Sequence, residues 1–356
     1  MLRPIGIKEV AIAAGVSTTT VSHALNGKGR LPDTTRQRVR AVAEQLGYQP
    51  SALARGLAGG RTAMLAMTVS GSDDFAVQVG DLGYFLQVTN AATSAALERG
   101  YAVTLLPARW SPETLARLPL DGGIVVDPVR DDAVVAALSA RALPVVTLGR
   151  QPGGPPGAPW IDNDHHAGTR AMLNHLVSEG ATRIALLAAH MVSSYALDTL
   201  AAYGEWCEDT GAEPLVATVR GSLSERGAYA ETMKLLESAQ PPDAIYATLD
   251  RLALGALLAA DARGLRVPAD LRIAACTESE ESRRSRPALS ALSLNPELLA
   301  SQAIDLLADL IEGRPTERQR IVPSVLMVRR STRASGRGGW TLIGTRSNGS
   351  QPRSVD

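Results

Sequence analysis

Five hydroxyl side chains and one imidazole fall within seven residues of this chain: Ser17, Thr18, Thr19, Thr20, Ser22 and His23. Hydroxyls donate and accept on base edges or phosphates, and a threonine methyl can touch the thymine methyl. Three successive threonines are weak helix formers. Either they crowd a capped first turn, or they are there for groove chemistry, and the residue types alone leave both readings open. No other cluster points to chemistry as directly. The neighbouring His165 and His166 at a helix start do not face one point, so they read as surface or cap groups rather than metal ligands. Cys207 and Cys276 have no CxxC partner, which argues against a zinc site or a disulfide framework and leaves structural thiols. Glu278, Glu280 and Glu281 followed by Arg283, Arg284 and Arg286 read as a solvated, self-paired loop. No nucleotide-binding glycine loop, GxSxG elbow or HExxH helix is found. The sequence therefore predicts no enzyme, no catalytic residue, no cofactor and no metal.

The elements that would carry the hydroxyl cluster are short. Ile7, Val10, Ala11 and Ala14 lie at i, i+3, i+4 and i+7 and predict one amphipathic helix, opened at Gly6 with Glu9 completing the cap and closed by Gly15. Ser17 caps a second helix, Thr18 to Leu25, which Asn26 and Gly27 stop. Two short helices joined by a tight turn form a helix-turn-helix, whose second helix enters the major groove with its N-terminal side chains on the bases. A third helix is expected from about Asp33, as cap, to Leu46, with Val39, Val42, Ala43 and Leu46 as its buried stripe and Gly47 following it.

Charge is divided along the chain in the same way. The whole carries 36 basic and 36 acidic residues. Residues 1–60 hold eight cations, Arg3, Lys8, Lys28, Arg30, Arg36, Arg38, Arg40 and Arg55, against Glu9, Asp33 and Glu44, a net +5 that leaves −5 for the remainder. A basic head on a mildly acidic body is the asymmetry expected when one segment meets a polyanion. After Pro50, the segment SALARGLAGGRT places Leu53 and Leu57 at i, i+4 ahead of Gly59 and Gly60. So short a segment is marginal as an isolated helix and by composition reads as a flexible linker.

At 356 residues, 45% hydrophobic and 20% charged, the chain is long enough for two or three compact units. No apolar run spans a bilayer and no signal core opens the chain, so the expected setting is the cytoplasm, with no membrane partner. From about Met64, buried strand runs (MLAMTV, YAVTLLP, GGIVVD, LPVVTL, RIALLA, PLVATV, DAIYAT, LRIAAC) alternate with helices such as QVTNAATSAALERG and GTRAMLNHLVSEG. That alternation predicts parallel sheets covered on both faces, and their number predicts two sheets.

The run VAIAAGVSTTTVSHALNG, followed by TRQRV and AEQLGYQPSALARGLAGGRT, resembles the DNA-binding head and hinge of the lactose/galactose repressor family. WIDNDHHAGTRAMLNHLVSEGATRIALLA, DRLALGALLAADARGLRVPADLRI and PALSALSLNPELLASQAIDLLADLIEGRP extend the resemblance through most of residues 62 to 330. It implies an all-α helix-turn-helix head on an α/β, two-lobed, periplasmic-binding-protein-like (type I) body. The expected divisions are 1–50 for the head, 51–61 for the hinge, and 62–333 for the effector-binding and dimerisation body. Lobe crossovers are expected near 161, 291 and 322, and 334–356, rich in Gly, Ser and Arg, is expected to be disordered.

The same resemblance implies a transcription regulator, a repressor, bound to a palindromic double-stranded operator as a homodimer and modulated by a small-molecule effector between the lobes. It makes Thr18, Thr19 and His23 base-reading residues. Ser17, Thr20, Ser22, Asn26, Arg55 and Ala58 join the DNA-facing set, with Leu57 as the wedge entering the minor groove. Relatives often carry arginine where this chain has His23. Matching the family's pocket motifs gives Phe85, Asp127, Ser193, Tyr195, Thr199, Leu223, Leu249, Asp250 and Thr277 as effector-binding candidates. Sugar-sensing relatives commonly have arginine, asparagine and aspartate where this chain has Thr199, Leu249 and Thr277. The expectation is a more apolar pocket and an effector that is not a simple hexose.

Overall fold

The computed structural model describes residues 5–25, 29–48, 61–70, 83–107, 112–221, 223–333 and 339–343. These fall into two compact units, one of residues 1–64 with 119–121 and one of residues 65–118 with 122–356.

The first unit holds three helices, α1 (Ile7–Ala14), α2 (Thr18–Leu25) and α3 (Asp33–Gln45). The Gly6 N–H donates to Glu9 Oε2 at 2.9 Å, and Gly15 ends α1 in the left-handed region at φ 63°. Ser17 Oγ accepts the Thr20 N–H at 3.1 Å, which caps α2. Asp33, expected as the cap of α3, is instead its first residue, and Pro32 precedes it in an extended conformation. The carboxylate then sits in the first turn, where the helix dipole favours negative charge. Val10, Ala11, Ala14, Val21, Ala24, Val39 and Ala43 form one small core, closed by half-buried residues including Ile7, Val16, Leu31, Val42, Leu46 and Tyr48. The predicted stripes all point into it. In the same unit the Asp121 carboxylate accepts the Thr62 and Ala63 N–H groups, each at 2.7 Å.

The second unit contains two sheets. The strands of the first are β1 (Met64–Val69), β2 (Ala102–Leu105), β3 (Gly122–Val126), β4 (Val145–Leu148), β5 (Trp160–Asn163) and β11 (Gln319–Val322), in the order β11-β5-β4-β3-β1-β2. In the second they are β6 (Ile184–Ala189), β7 (Val216–Val219), β8 (Ala244–Ala247), β9 (Arg272–Ala275), β10 (Ser290–Ser293), β12 (Ser324–Val328) and β13 (Gly339–Ile343), in the order β13-β12-β10-β9-β8-β6-β7. Strands β3 and β8 are buried along their whole length, as expected of parallel strands covered on both faces. The helices between them are α4 (Gly83–Glu98), α5 (Pro112–Arg117), α6 (Ala133–Ala140), α7 (His165–Ser178), α8 (Ser194–Thr210), α9 (Glu225–Leu236), α10 (Asp250–Ala262), α11 (Glu280–Arg284) and α12 (Pro296–Glu312).

The chain passes from one sheet's lobe to the other's after β5, after β10 and after β11. One side chain ties these passages together. Buried Asn163, at the end of β5, donates through Nδ2 to Leu294 O at 3.2 Å and to Val322 O at 2.8 Å. Asn295 Nδ2 adds a bond to Pro323 O.

Two expectations need correction. The C-terminal segment contributes a strand, β13, which pairs antiparallel with β12 from Ser324↔Ile343 to Val328↔Gly339. Of that strand only Ile343 is buried, so backbone pairing rather than an apolar stripe orders it. The acidic-basic run is likewise a short helix, with Glu280 paired to Arg284, while Glu278 turns inward to Arg329 at 2.5 Å.

Candidate functional sites

On α2, Ser17, Thr18, Thr19 and His23 are exposed, and Thr20 and Ser22 are half-buried. Ser17 and Thr20 hold each other through their hydroxyls at 2.9 Å, so both serve the cap first. That leaves Thr18, Thr19 and His23 as the outward chemistry, on the face opposite buried Val21 and Ala24. A Cβ on Gly29, whose φ is 73°, would lie 2.7 Å from His23 Nδ1, so the imidazole rests against a backbone position that only glycine suits. Arg36 Nη2 reaches Gly29 O at 3.5 Å and braces the same loop, while Arg30, Arg38 and Arg40 stay exposed. Asn26, Arg55, Leu57 and Ala58 lie outside the described residues.

In the second unit a narrow cavity of about 40 Å³ opens between the lobes at the carboxyl ends of the strands. The first lobe supplies Tyr84 from α4, Asp127 after β3, Gly149 after β4, and Asp162 and Asn163 from β5. The second supplies His165, Met191, Tyr195, Leu249, Asp250 and Thr277. Asp127, Tyr195, Leu249, Asp250 and Thr277 are thus brought together as the sequence suggested. Phe85, Ser193, Thr199 and Leu223 are not in the wall. Phe85 is displaced by its neighbour Tyr84, since one step along a helix turns a side chain by about 100°. Ser193 precedes α8, and Thr199 lies two residues past the turn that carries Tyr195, at 0% exposure among the core. Leu223 is likewise packed inside, at 2%.

Sequence reasoning missed the polar centre of this cavity. His165, read as a surface or cap residue, is buried and pairs through Nε2 with Asp162 Oδ1 at 2.9 Å, while its ring meets Tyr195 edge-on at 5.1 Å. Only His166 stays outside, against Glu205 at 2.6 Å. Asp162 also accepts the Arg150 N–H at 3.0 Å and the Ser194 hydroxyl at 3.3 Å, and the Arg150 guanidinium bridges Asp162, at 3.5 Å, and Asp198. Burial works to raise the Asp162 carboxyl, but the His165 charge and these hydrogen bonds hold it below the usual carboxylate range. For His165, burial opposes the charged form and the Asp162 carboxylate overcomes it, so its proton affinity is raised. Asp127 has no such support. Burial, and then the nearby Asp162 charge, push its pKa up to about 7, against partial relief from His165. Its backbone stands in the left-handed region at φ 49°, uncommon for a residue other than glycine and typical of sites where position outweighs strain. Thr277 donates to Asp250 Oδ1 at 3.1 Å and accepts the Asp250 N–H at 3.0 Å, which occupies its hydroxyl within the wall. The wall joins the expected apolar surface, with Leu148, Met191, Leu249 and Leu294, to three carboxylates, of which Asp162 is the one the sequence reading did not name. The signal that finds them is position, because Asp127, Asp162 and Asp250 all stand at or just past the carboxyl ends of strands.

Burial pushes up the Cys276 thiol beneath the cavity, where the hydroxyls of Tyr246, Tyr195 and Thr199 face it. It is a structural thiol, as is buried Cys207. Among the described residues no cluster of His, Cys, Asp and Glu fits a metal ion, and no helix is long and apolar enough to cross a membrane.

A helix-turn-helix with an outward hydrogen-bonding face, carried on the chain of a two-lobed α/β body with a cavity at its strand ends, defines a class: DNA-binding transcription regulators built on a periplasmic-binding-protein-like fold. Residues 6–51 match the model of bacterial regulatory proteins of the lacI family, and residues 173–332 match that of the periplasmic binding protein-like domain. The HTH-type transcriptional regulator CelR of Thermobifida fusca is 30% identical over 336 residues, covering 91% of this chain and 97% of its own. The lactose operon repressor of Escherichia coli is 28% identical over 94% of this chain and 92% of its own. A crystal structure of the Lac repressor dimer bound to operator and the anti-inducer ONPF superposes with a TM-score of 0.76 at 28% identity, covering 93% of this chain and all of that one. This chain belongs to the lacI family, a family of transcription regulators rather than enzymes.

Proposed function

We propose that the chain binds a near-palindromic operator as a homodimer and represses transcription there, and that a small molecule in the interlobe cavity changes its grip on that operator. The observation that carries this reading is the separation of surfaces on α2. Val21 and Ala24 seal the head core, so Thr18, Thr19 and His23 are free for base edges. The Lac repressor solved as a dimer on operator supports the two-fold arrangement, because a palindrome with half-sites about one turn apart needs a two-fold protein. Residues 51–61 fit a hinge between head and body, with Arg55, Leu57 and Ala58 on the minor groove, and an operator places the protein at the cytoplasmic nucleoid.

The effector is not a simple hexose held in the manner of sugar-sensing relatives. Leu249 can offer a hydroxyl nothing, Thr277 is engaged with Asp250, and Thr199 stands outside the cavity. Leaving a buried hydroxyl without a partner costs about 1–3 kcal/mol. Selection from randomised duplexes with the full-length protein tests the DNA reading. The expected result is one enriched motif with two symmetric half-sites; a single half-site would remove the homodimer, and no enrichment would remove sequence-specific binding.

A further inference from the structure

The interlobe cavity carries more charge than a neutral ligand needs. Among the described residues its wall contains three carboxylates, Asp127, Asp162 and Asp250, and neither lysine nor arginine; His165 is already committed to Asp162 at 2.9 Å, and the Arg150 guanidinium, outside the wall, reaches the same carboxylate at 3.5 Å. Asp250 is answered by the Thr277 hydroxyl and Asp162 by three further donors. Asp127 is the exception, with no hydrogen bond to its carboxylate among the described residues. A second, independent feature marks the place as a ligand site. His165, only 6% exposed and part of the wall, has a buried Nδ1 with no partner. With Nε2 tied to the Asp162 carboxylate, Nδ1 is the ring atom left for a ligand, and a hydroxyl can meet it as donor or as acceptor.

We propose that the effector is an oxygen-bearing amine, of the amino-alcohol or amino-sugar class, whose ammonium group sits against Asp127 and whose hydroxyl hydrogen-bonds with His165 Nδ1. The assignment rests on the reading of this cavity as the effector site and narrows it to a chemical class. An ammonium beside Asp127 stabilises the ionised carboxylate that burial and Asp162 otherwise disfavour, so binding and ionisation of Asp127 reinforce each other. The titratable groups facing Asp127 are Asp162, His165, Tyr84 and Tyr195. Both tyrosines are raised further above their ordinary range, so they stay neutral through this interval. Asp127 gains its charge as pH rises through about 7. Amine affinity should therefore rise about tenfold between roughly pH 6 and pH 8, with proton release on binding at the lower end.

Matched pairs test the class on the full-length protein: D-glucosamine against D-glucose, and ethanolamine, serinol and 4-aminobutanol against the corresponding diols or triol. Calorimetry and operator release are read together. At least one amine should bind at least about 30-fold more tightly than its neutral isostere, about 2 kcal/mol. Asp127→Asn, which fits the left-handed backbone, should bring the two within about threefold of each other. A neutral member binding as tightly as its amine, or no amine binding at all, overturns the amine assignment. A separate arm addresses the reading beneath it. A metabolite extract of the native host is applied to wild type and to Leu249→Trp, which fills the cavity. Release of operator from both alike, or from neither, overturns the cavity as effector site, whereas release from wild type alone upholds it whatever the panel shows.

Discussion

The head and the cavity place their polar groups in opposite ways. In the head, seven small or branched apolar residues make a core complete in itself, and the working side chains stand outside it in water. In the body the working side chains are buried, and each buried charge must be answered by a neighbour: Asp162 by His165, Glu278 by Arg329, Asp250 by Thr277. Outward residues cost the fold little and can be exchanged to read another operator. Inward residues are coupled, so a changed ligand requires a changed network. Asp127 has no hydrogen-bonding neighbour in that network among the described residues, which is why the proposed effector contact centres on it.

The largest effect should come from breaking the head core. Val21→Asp places a carboxylate at 0% exposure against Val10 and Val39, at a cost of about 3 kcal/mol or more, beyond what so small a core can bear. Operator binding should vanish while the main thermal transition of the body persists; parallel loss of both would show that the units are not separately folded. The mirror change is Gly255→Ala in α10. Its Cβ would stand 2.4 Å from Glu225 O and 2.7 Å from Ala228 Cβ on α9, forcing the helices apart. About 1–3 kcal/mol of body stability should be lost, measured by denaturant unfolding, with the head's helical signal intact.

Ser17→Ala removes the α2 cap and should lower head stability by about 1 kcal/mol, with a weaker loss of operator affinity than any change at the outward positions. The last effect is a slope with pH rather than a fixed loss. Because the folded-state pKa of Asp127 is raised from 3.8 to about 7, the native state holds its proton more firmly than the unfolded chain does. Stability from this group is fully present below about pH 4, declines as pH rises toward 7, and is flat above that. Asp127→Asn should lack that decline. Equal slopes in unfolding experiments from pH 4.5 to 7.5 would show that Asp127 is not desolvated.

Much of this was legible in the sequence because it was local. The i, i+3, i+4 stripe of Val10, Ala11 and Ala14, the Ser17 cap and the apolar runs of β3 and β8 each specify their element within a few residues. What stayed hidden depended on distant partners. His165 and His166 are neighbours in sequence but point about 100° apart, and only the fold reveals that one of them faces Asp162. Tyr84 and Phe85 pose the same question of rotation: family matching named Phe85, and the cavity wall contains Tyr84. Strand β13 has no apolar alternation strong enough to announce it, since β12 supplies its order through the backbone.

In the proposed division of labour, exposed residues of α2 read the operator while the head's charge attracts any DNA. Affinities of wild type and His23→Ala for the selected operator and for a random duplex, measured side by side at one salt concentration, test it most directly. The expected result is a loss of about 1–3 kcal/mol per half-site on the operator and almost none on the random duplex. Equal losses on both duplexes, or no loss on either, would contradict it.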